Sequence, residues 1–462
     1  MSSIDWIVLL GTLLFIVIYG AWKTRGSQNL ESYLKGDNED KWWGIGISIM
    51  ATQASAITFL STPGQAYTDG MRFVQFYFGL PIAMIILSVT FVPIFYKLKV
   101  FTAYQFLEER FDLKTRSLTS ILFLIQRGLA AGITIYAPAI ILSSLLGWNL
   151  TITNIFIGLL VIVYTVSGGT KAVTQTQKQQ MAVMLLAGVM VISMLPKDIG
   201  FDDALHVAGK MGKLNVVNFD FNLNDRYNFW SGITAALFLF MSYFGTDQSQ
   251  VQRYLSGKSV TESRLGLMMN GLLKVPMQFI ILFIGVMVFV FYQFVQPPIF
   301  FNKVEKQKTE QSVYSAEFKA IENQYTEVFN QKKQEIKKMV NAVNAENKAA
   351  VLEAKSSVLA LQDETNRLRD EAKKVIKKAS PTAETNDKDY IFMTYVMDFL
   401  PIGMVGLLFA VMFSAAMSST SSELNALAST TTIDLYQRSI NKNATEMHYL
   451  KSSKWFTLLW GV

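Results

Sequence analysis

An all-α, polytopic membrane protein is the fold class this sequence predicts, and three observations carry it. Apolar stretches long enough to cross a bilayer recur along most of the chain. Only 17% of the 462 residues are charged while 51% are hydrophobic, a balance that at this length marks the membrane class. The basic residues fall in alternate connections between the apolar stretches, as a multi-pass protein requires.

The totals also exclude. There is no Cys, so disulfide scaffolds and thiolate metal sites are out. Two His residues, His206 and His448, leave little for a His-rich metal centre or an imidazole relay. The net charge of +7 does not predict a nucleic-acid partner, because the basic residues lie in loops between apolar spans and in one long insert. The bilayer is the expected environment. Residues 4–22 are about long enough to span it and have no basic flank before them, so they read as a first span and not as a cleavable signal.

In order, spans are predicted near residues 4–22, 44–67, 74–96, 118–146, 150–166, 179–195, 229–247, 265–295 and 391–422, with a tenth starting near Trp455. Lys23, Arg25, Lys35 and Lys41 follow the first span, and Lys97, Lys99, Arg110, Lys114 and Arg116 follow the third. Arg253, Lys258 and Arg264 follow the seventh, and Arg438, Lys442, Lys451 and Lys454 follow the ninth. Short turns of the opposite parity hold almost no Lys or Arg. The expected topology is therefore multi-pass in the cell (inner) membrane, with the N-terminus outside. Val462 falls inside an apolar run that has barely begun, and the sequence is expected to continue beyond it.

Residues 297–390 change composition to Lys, Glu, Gln, Asn and Ala. Apolar or small residues recur at Val351, Ala354, Val358, Leu361, Leu368, Ala372 and Val375, a coiled-coil-like alternation broken at Thr365. Phe318, Ile321, Tyr325 and Val328 start a matching stripe, and Asn341, Asn344 and Asn347 sit where a turn would fall. The reading is an extracytoplasmic antiparallel hairpin, each arm on the order of 40 Å long. The alternative is a solvated charged segment without fixed structure.

Residues 413–436, FSAAMSSTSSELNALASTTTIDLY, continue an apolar run yet carry Ser418, Ser419, Thr420, Ser421 and Ser422 in succession. Unpartnered polar groups in hydrocarbon cost several kcal/mol, so this face must look inward. Hydroxyls three and four residues apart converge, and neutral oxygens suit a small hard cation. The same hydroxyls could instead bond back to their own helix or join neighbouring helices. The second span is interrupted by Thr52, Gln53, Ser55 and Thr58 and then by Pro63-Gly64, which marks a candidate broken helix. Unwinding there would free the carbonyls of Ala51 and Ala54 and turn Gln53, Ser55 and Thr58 toward a cavity, with Gln75 positioned to face it. Arg127 and Lys274 are intramembrane cations, functional by default unless they snorkel to an interface. Tyr243, before Gly245 and a polar run, could stack on a solute or simply pack as an interface anchor.

Six stretches, ATQASAITFLSTPGQAY, TAYQFLEERFDLKTR, IYAPAIILSSLLGWN, YTVSGGTKAV, FGTDQSQVQRYLSGK and FLPIGMVGLLFAVMFSAAMSSTSSELNALASTTTIDLY, follow in this order and cover nearly all of the chain outside the insert. Together they resemble the sodium/solute symporter family. The resemblance implies an inverted-repeat, leucine-transporter-like bundle: an extra first helix, a five-helix repeat and part of a second, with residues 1–296 and 391–462 transmembrane around the insert. It implies Na+ as the coupling ion, held by the carbonyls of Ala51, Ala54 and Ala415 and the hydroxyls of Ser418 and Ser419. A second sodium would use Ser421, Ser422 and an Asp whose position here is Gln177, an amide without charge. For the solute, the sialic acid branch matches at Ser55, Thr58, Gln75 and Arg127, whereas galactose-type members carry Glu-Gln where this chain has Ile57-Thr58. The implied function is sodium-coupled uptake of a small organic solute, a sialic acid or another carboxylate, with a hexose as the alternative. A membrane sensor whose hairpin binds a protein partner is the rival of another class. An intramembrane enzyme is disfavoured, since neither His lies deep in a span and no paired intramembrane carboxylates are evident.

Overall fold

The computed structural model describes residues 1–23, 29–36, 39–193, 200–222 and 224–462, and these are helical without a named strand. Its first half runs α1 (Ser3–Lys23), α2 (Leu30–Lys35), α3 (Trp42–Gln53), α4 (Ala56–Asp69), a 3-10 segment (Gly70–Tyr77), α5 (Gly79–Val89), α6 (Phe91–Leu98), α7 (Gln105–Arg110), α8 (Leu113–Leu146) and α9 (Leu150–Ser193). Then come α10 (Phe201–Lys210), α11 (Phe229–Ile233), α12 (Ala235–Gly245), α13 (Gln248–Leu255) and α14 (Val260–Phe294). The insert supplies α15 (Lys303–Glu310), α16 (Ser315–Asn344) and α17 (Lys348–Ala379), and α18 (Lys388–Phe399), α19 (Met404–Thr430), a π-helical segment (Thr431–Ile440) and α20 (Glu446–Gly461) follow. Among the described residues six helices are long and apolar enough to span a membrane, and the bent pair Phe229–Gly245 and Gln248–Leu255 makes a seventh.

The expected broken helix is present. Ala54 leaves helical geometry (φ −84°, ψ 79°) and Ser55 is extended, so α3 stops and α4 starts afresh two residues on. Pro63-Gly64 then lies inside α4, where the small residue has a packing reason. A Cβ on Gly64 would collide with the Lys388 carbonyl of α18. The seventh span is bent by 64° between α12 and α13, at the Gly245–Asp247 stretch whose composition forecast an interruption.

Two span boundaries differ from expectation. The ninth span does not run from residue 391: Pro401 and Gly403, with φ +90°, separate α18 from α19, so the crossing helix begins at Met404. The fifth and sixth spans are two helices that meet with hardly a loop between them, across a kink at Gly169 (φ +53°, ψ −140°). Glycine is needed there, since a Cβ would strike Tyr33. Arg25 and residues 194–199, which include the last two residues of the predicted sixth span, lie outside the described residues.

The insert folds as the hairpin expected. Phe318, Tyr325, Phe329, Ile336 and Met339 of α16 face Val351, Val358, Leu368, Ala372 and Val375 of α17, all buried. The chain reverses at Glu346 (φ +53°), and the Asn347 side chain caps α17 by accepting from the Ala350 amide at 3.2 Å. Thr365 stays within the buried stripe because its hydroxyl donates to the Leu361 carbonyl at 2.7 Å. The hairpin does not project freely. Ile336, Met339, Ala354 and Val358 belong to the same apolar core as Ala204, Val207 and Ala208 of α10, and Asn344 bonds to Asp203 at 3.2 Å. It therefore lies along the end of the bundle where α4 and α14 finish.

Candidate ion and solute site

The break in α3–α4 and the serine run of α19 meet at the centre of the bundle. Ala51, Ala54, Ala415, Ser418, Ser419, Ser421 and Ser422 are all buried. Ser418 Oγ lies 2.8 Å from the Ala51 carbonyl and 2.9 Å from the Ala415 carbonyl. The Ser419 hydroxyl donates to the Thr52 carbonyl at 3.0 Å. Neutral hydroxyl and carbonyl oxygens from two helices thus converge where one helix has lost its own hydrogen bonding. That donor set fits a hard monovalent or divalent cation and offers nothing to a soft one.

Beside it, Gln177 of α9 joins both helices. Its amide nitrogen lies 2.8 Å from Ser422 Oγ, 2.9 Å from Thr52 Oγ1 and 3.1 Å from the Ser418 carbonyl, while the Ser48 hydroxyl donates to its oxygen. Ser421 donates to the Ser418 carbonyl at 3.0 Å. In this arrangement Gln177 gives protons to the oxygens that a second cation would need, instead of offering one of its own. A neutral donor here partly meets the electrostatic demand an ion would otherwise meet.

The candidate solute residues divide. Gln53 lies at the break with its Oε1 buried and unpartnered, and Ser55 makes no capping bond to the helix it opens. Thr58 is half-buried one turn further. Gln75 does not face this space. It sits in the 3-10 segment, where its Oε1 accepts from the Asn218 amide at 2.8 Å and its Nε2 donates to the Tyr227 and Arg72 carbonyls at 3.2 Å. Its buried amide must satisfy both ends, and the loop following α10 does so.

Arg127 is also placed otherwise than expected. Its guanidinium pairs with Glu423 at 3.1 Å and with Asp247, so two carboxylates already neutralise it. A guanidinium taken out of water needs such counter-charge. Tyr243 lies beneath it, ring centroid 5.7 Å from the guanidinium carbon, its hydroxyl accepting from Gln250 at 2.8 Å. Both line a cavity of about 230 Å³ with Tyr104, Gln126 and Asp247. The intramembrane carboxylate pair that sequence reasoning passed over is thus Asp247 and Glu423. Each had a signal: Asp247 follows the helix-ending Gly245, and Glu423 directly follows the serine run.

Lys274 is a buried cation with no ion-pair partner among the described residues. Gly46 abuts Met269 and Pro63 abuts Gly285, so α14 runs alongside α3–α4 in the same direction. Lys274 and Gln278, between those two contacts, therefore lie at about the height of the break. Both are fully buried, one turn apart on one face, and neither the Lys274 amine nor either Gln278 amide atom has a hydrogen-bond partner.

A bundle of spanning helices, two of them interrupted, with buried oxygens pooled at one interruption, is the architecture of a secondary transporter. The chain belongs to the sodium:solute symporter family, whose model matches residues 33–310 and 372–462. It is 34% identical over 270 residues to the sodium-coupled monocarboxylate transporter 1 of Homo sapiens, covering 58% of this chain and 44% of that protein. It is 29% identical over 252 residues to the sodium/iodide cotransporter of Homo sapiens, covering 53% of this chain and 38% of that one. The chain thus spans less than half the length of these curated relatives. Among solved structures, a substrate-bound, outward-open Na+-coupled sialic acid symporter superposes with a TM-score of 0.75 at 22% identity, covering 100% of this chain and 80% of that chain. That likeness is one of fold: an inverted-repeat, leucine-transporter-like bundle.

Proposed function

We propose that the protein carries out sodium-coupled uptake of a small organic anion, a carboxylate, by alternating access. The observation that carries this reading is the pairing of Ser418 and Ser419 with the carbonyls of the α3 break, at 2.8 and 3.0 Å. Without an ion, each hydroxyl proton is spent on a carbonyl of the other helix. Na+ entering that set takes the oxygens as ligands, with the hydroxyls turning their lone pairs inward. Ion occupancy then sets the distance between the broken helix and α19, and with it the posture of Gln53, Ser55 and Thr58. Two states that differ in affinity for Na+ are what coupling requires. An inward gradient supplies the work, each charge gaining about 2.3 kcal/mol per 100 mV of membrane potential.

An anionic solute is supported by Lys274 and by the relatives, whose printed names are monocarboxylate, iodide and sialic acid carriers. Lys274 brings an uncompensated positive charge to the height of the break, where a bound carboxylate would neutralise it. Arg127 serves this reading as an internal clamp between α8, the bend after α12 and α19, and not as the carboxylate grip. By the positive-inside rule the N-terminus and the insert lie outside, in the cell (inner) membrane.

The test is uptake of labelled lactate, sialic acid and glucose in sodium and in choline, by wild type and by Ser418→Ala with Ser419→Ala. The expected result is sodium-dependent uptake of a carboxylate that the double substitution abolishes while the protein stays in the membrane. Undiminished sodium-dependent uptake in that variant would sink the reading.

A further inference from the structure

A second cavity, of about 350 Å³, lies where the insert rests on the bundle. Its walls come from four parts of the chain: the end of α4 (Tyr67 and Thr68), the loop after α10 (Lys213), the end of α14 with the residues after it (Phe289 and Pro297), and the two hairpin arms (Lys332, Arg369, Asp370 and Lys373). Four cations therefore face one acid. Two of the cations are already spent. Arg369 pairs with the buried Asp387 at 2.6 Å and also bonds to the Ile299 carbonyl at 3.1 Å. Lys373 pairs with Asp370 at 3.3 Å.

The other two are not spent. Lys332 is 2% exposed, and its amine donates only to the neutral Gln362 oxygen at 2.9 Å. Lys213 donates to the Thr68 carbonyl and stands over the Phe289 ring at 4.6 Å. Neither has an acidic partner in ion-pair range among the described residues. A lysine is almost never fully buried unless paired, and keeping it charged costs several kcal/mol. Burial, with Arg369 adding to it, pushes the Lys332 amine down to about 7, and burial pushes Lys213 down to about 8. A fully buried Lys332 and a half-buried Lys213, neither neutralised by an acid, leave one cavity with a charge deficit awaiting a ligand.

We propose that this cavity binds a small dianion, through carboxylate or phosphate groups bridging Lys332 of the hairpin and Lys213 of the bundle. The volume is in the range of small-molecule sites, and two separated amines match two anionic groups better than one. The bound anion neutralises both amines, and it ties the hairpin to the outer half of the broken helix through Thr68. This is separate from the solute site: the cavity sits past the end of α4, whereas the oxygen cluster sits at its start.

The experiment is isothermal titration calorimetry on the full chain in detergent, in choline buffer without sodium at about pH 7. The probes are succinate and inorganic phosphate, with lactate as the monovalent control. Succinate or phosphate should bind more tightly than lactate, and which of the two binds names the group recognised. Lys332→Gln and Lys213→Gln should each weaken binding at least about tenfold, as loss of a charge-assisted contact does. Ser418→Ala with Ser419→Ala should leave the affinity unchanged, which separates this site from the transport reading. If Lys332→Gln fails to fold, Lys213→Gln, half-exposed and on a loop, reads the same cavity alone. No binding of either dianion by wild type at millimolar concentration, or wild-type affinity in the lysine variants, overturns the proposal.

Discussion

Buried charge decides the behaviour of single residues in this protein. Arg127→Ala would leave Asp247 and Glu423 facing each other in the membrane interior. The expected loss is about 3–5 kcal/mol of stability, read as a fall in the thermal midpoint in detergent, with Glu423→Gln restoring part of it. Lys274→Met should act in the opposite way. It removes an unpaired buried amine, so the empty protein becomes more heat-resistant while carboxylate uptake falls; unchanged uptake would remove Lys274 from the solute site. For Lys332, the folded chain binds fewer protons than the unfolded chain between about 7 and the ordinary 10.5. Stability therefore rises with pH across that window. The thermal midpoint should climb from pH 7 to about 9 and climb less in Lys332→Met, with Lys213 adding a slope of the same sign. Sequence pattern marked Arg127 and Lys274 as unusual and passed over Glu423, Asp247, Lys213 and Lys332. It could not reveal who meets whom, because Arg127 and Glu423 are brought together only by the packing of α8 on α19.

Among the elements, interruptions matter more than lengths. The α3–α4 break was legible because Thr52, Gln53 and Ser55 dilute an otherwise apolar span, and the α12–α13 bend because Gly245 and Asp247 follow a continuous one. The start of α19 at Met404 was missed, since apolar residues run on through α18 and only Pro401 and Gly403 mark the division. At the ends away from the insert, the π-helical segment turns Asp434 toward Arg116 at 2.6 Å, with Thr102 donating to it at 2.8 Å. Arg116 and Arg438 share Glu108. No spacing rule would have assembled that cluster. The hairpin was readable as two facing stripes, but its docking was not. Deleting residues 302–387 removes the bond from the Phe301 amide to Asp387 at 2.9 Å and uncovers α10. Such a protein should unfold at a lower temperature while retaining sodium-dependent uptake per folded molecule. Loss of that uptake would make the hairpin part of the transport cycle.

For the whole molecule, the proposed orientation makes a clean prediction because the chain contains no cysteine. Val313→Cys in the insert, 92% exposed, should react with a membrane-impermeant maleimide on intact cells. Ile440→Cys, 74% exposed at the opposite end, should react only after permeabilisation; the reverse pattern would invert the topology. The sequence by itself determined the membrane class, the alternation of basic loops, the two interrupted helices and the oxygen-rich face of α19. Each follows from a local cost: hydrocarbon will not tolerate unpaired polar groups, so their positions along the chain announce where helices must look inward or break. The tertiary structure alone decided that Arg127 is neutralised by Asp247 and Glu423, that Gln75 is held by the loop after α10, and that Lys274 and Lys332 go unpaired. Those outcomes depend on which charges are brought within a few ångströms across long sequence separations. Coulomb energy in a low-dielectric interior responds to that distance and not to position along the chain.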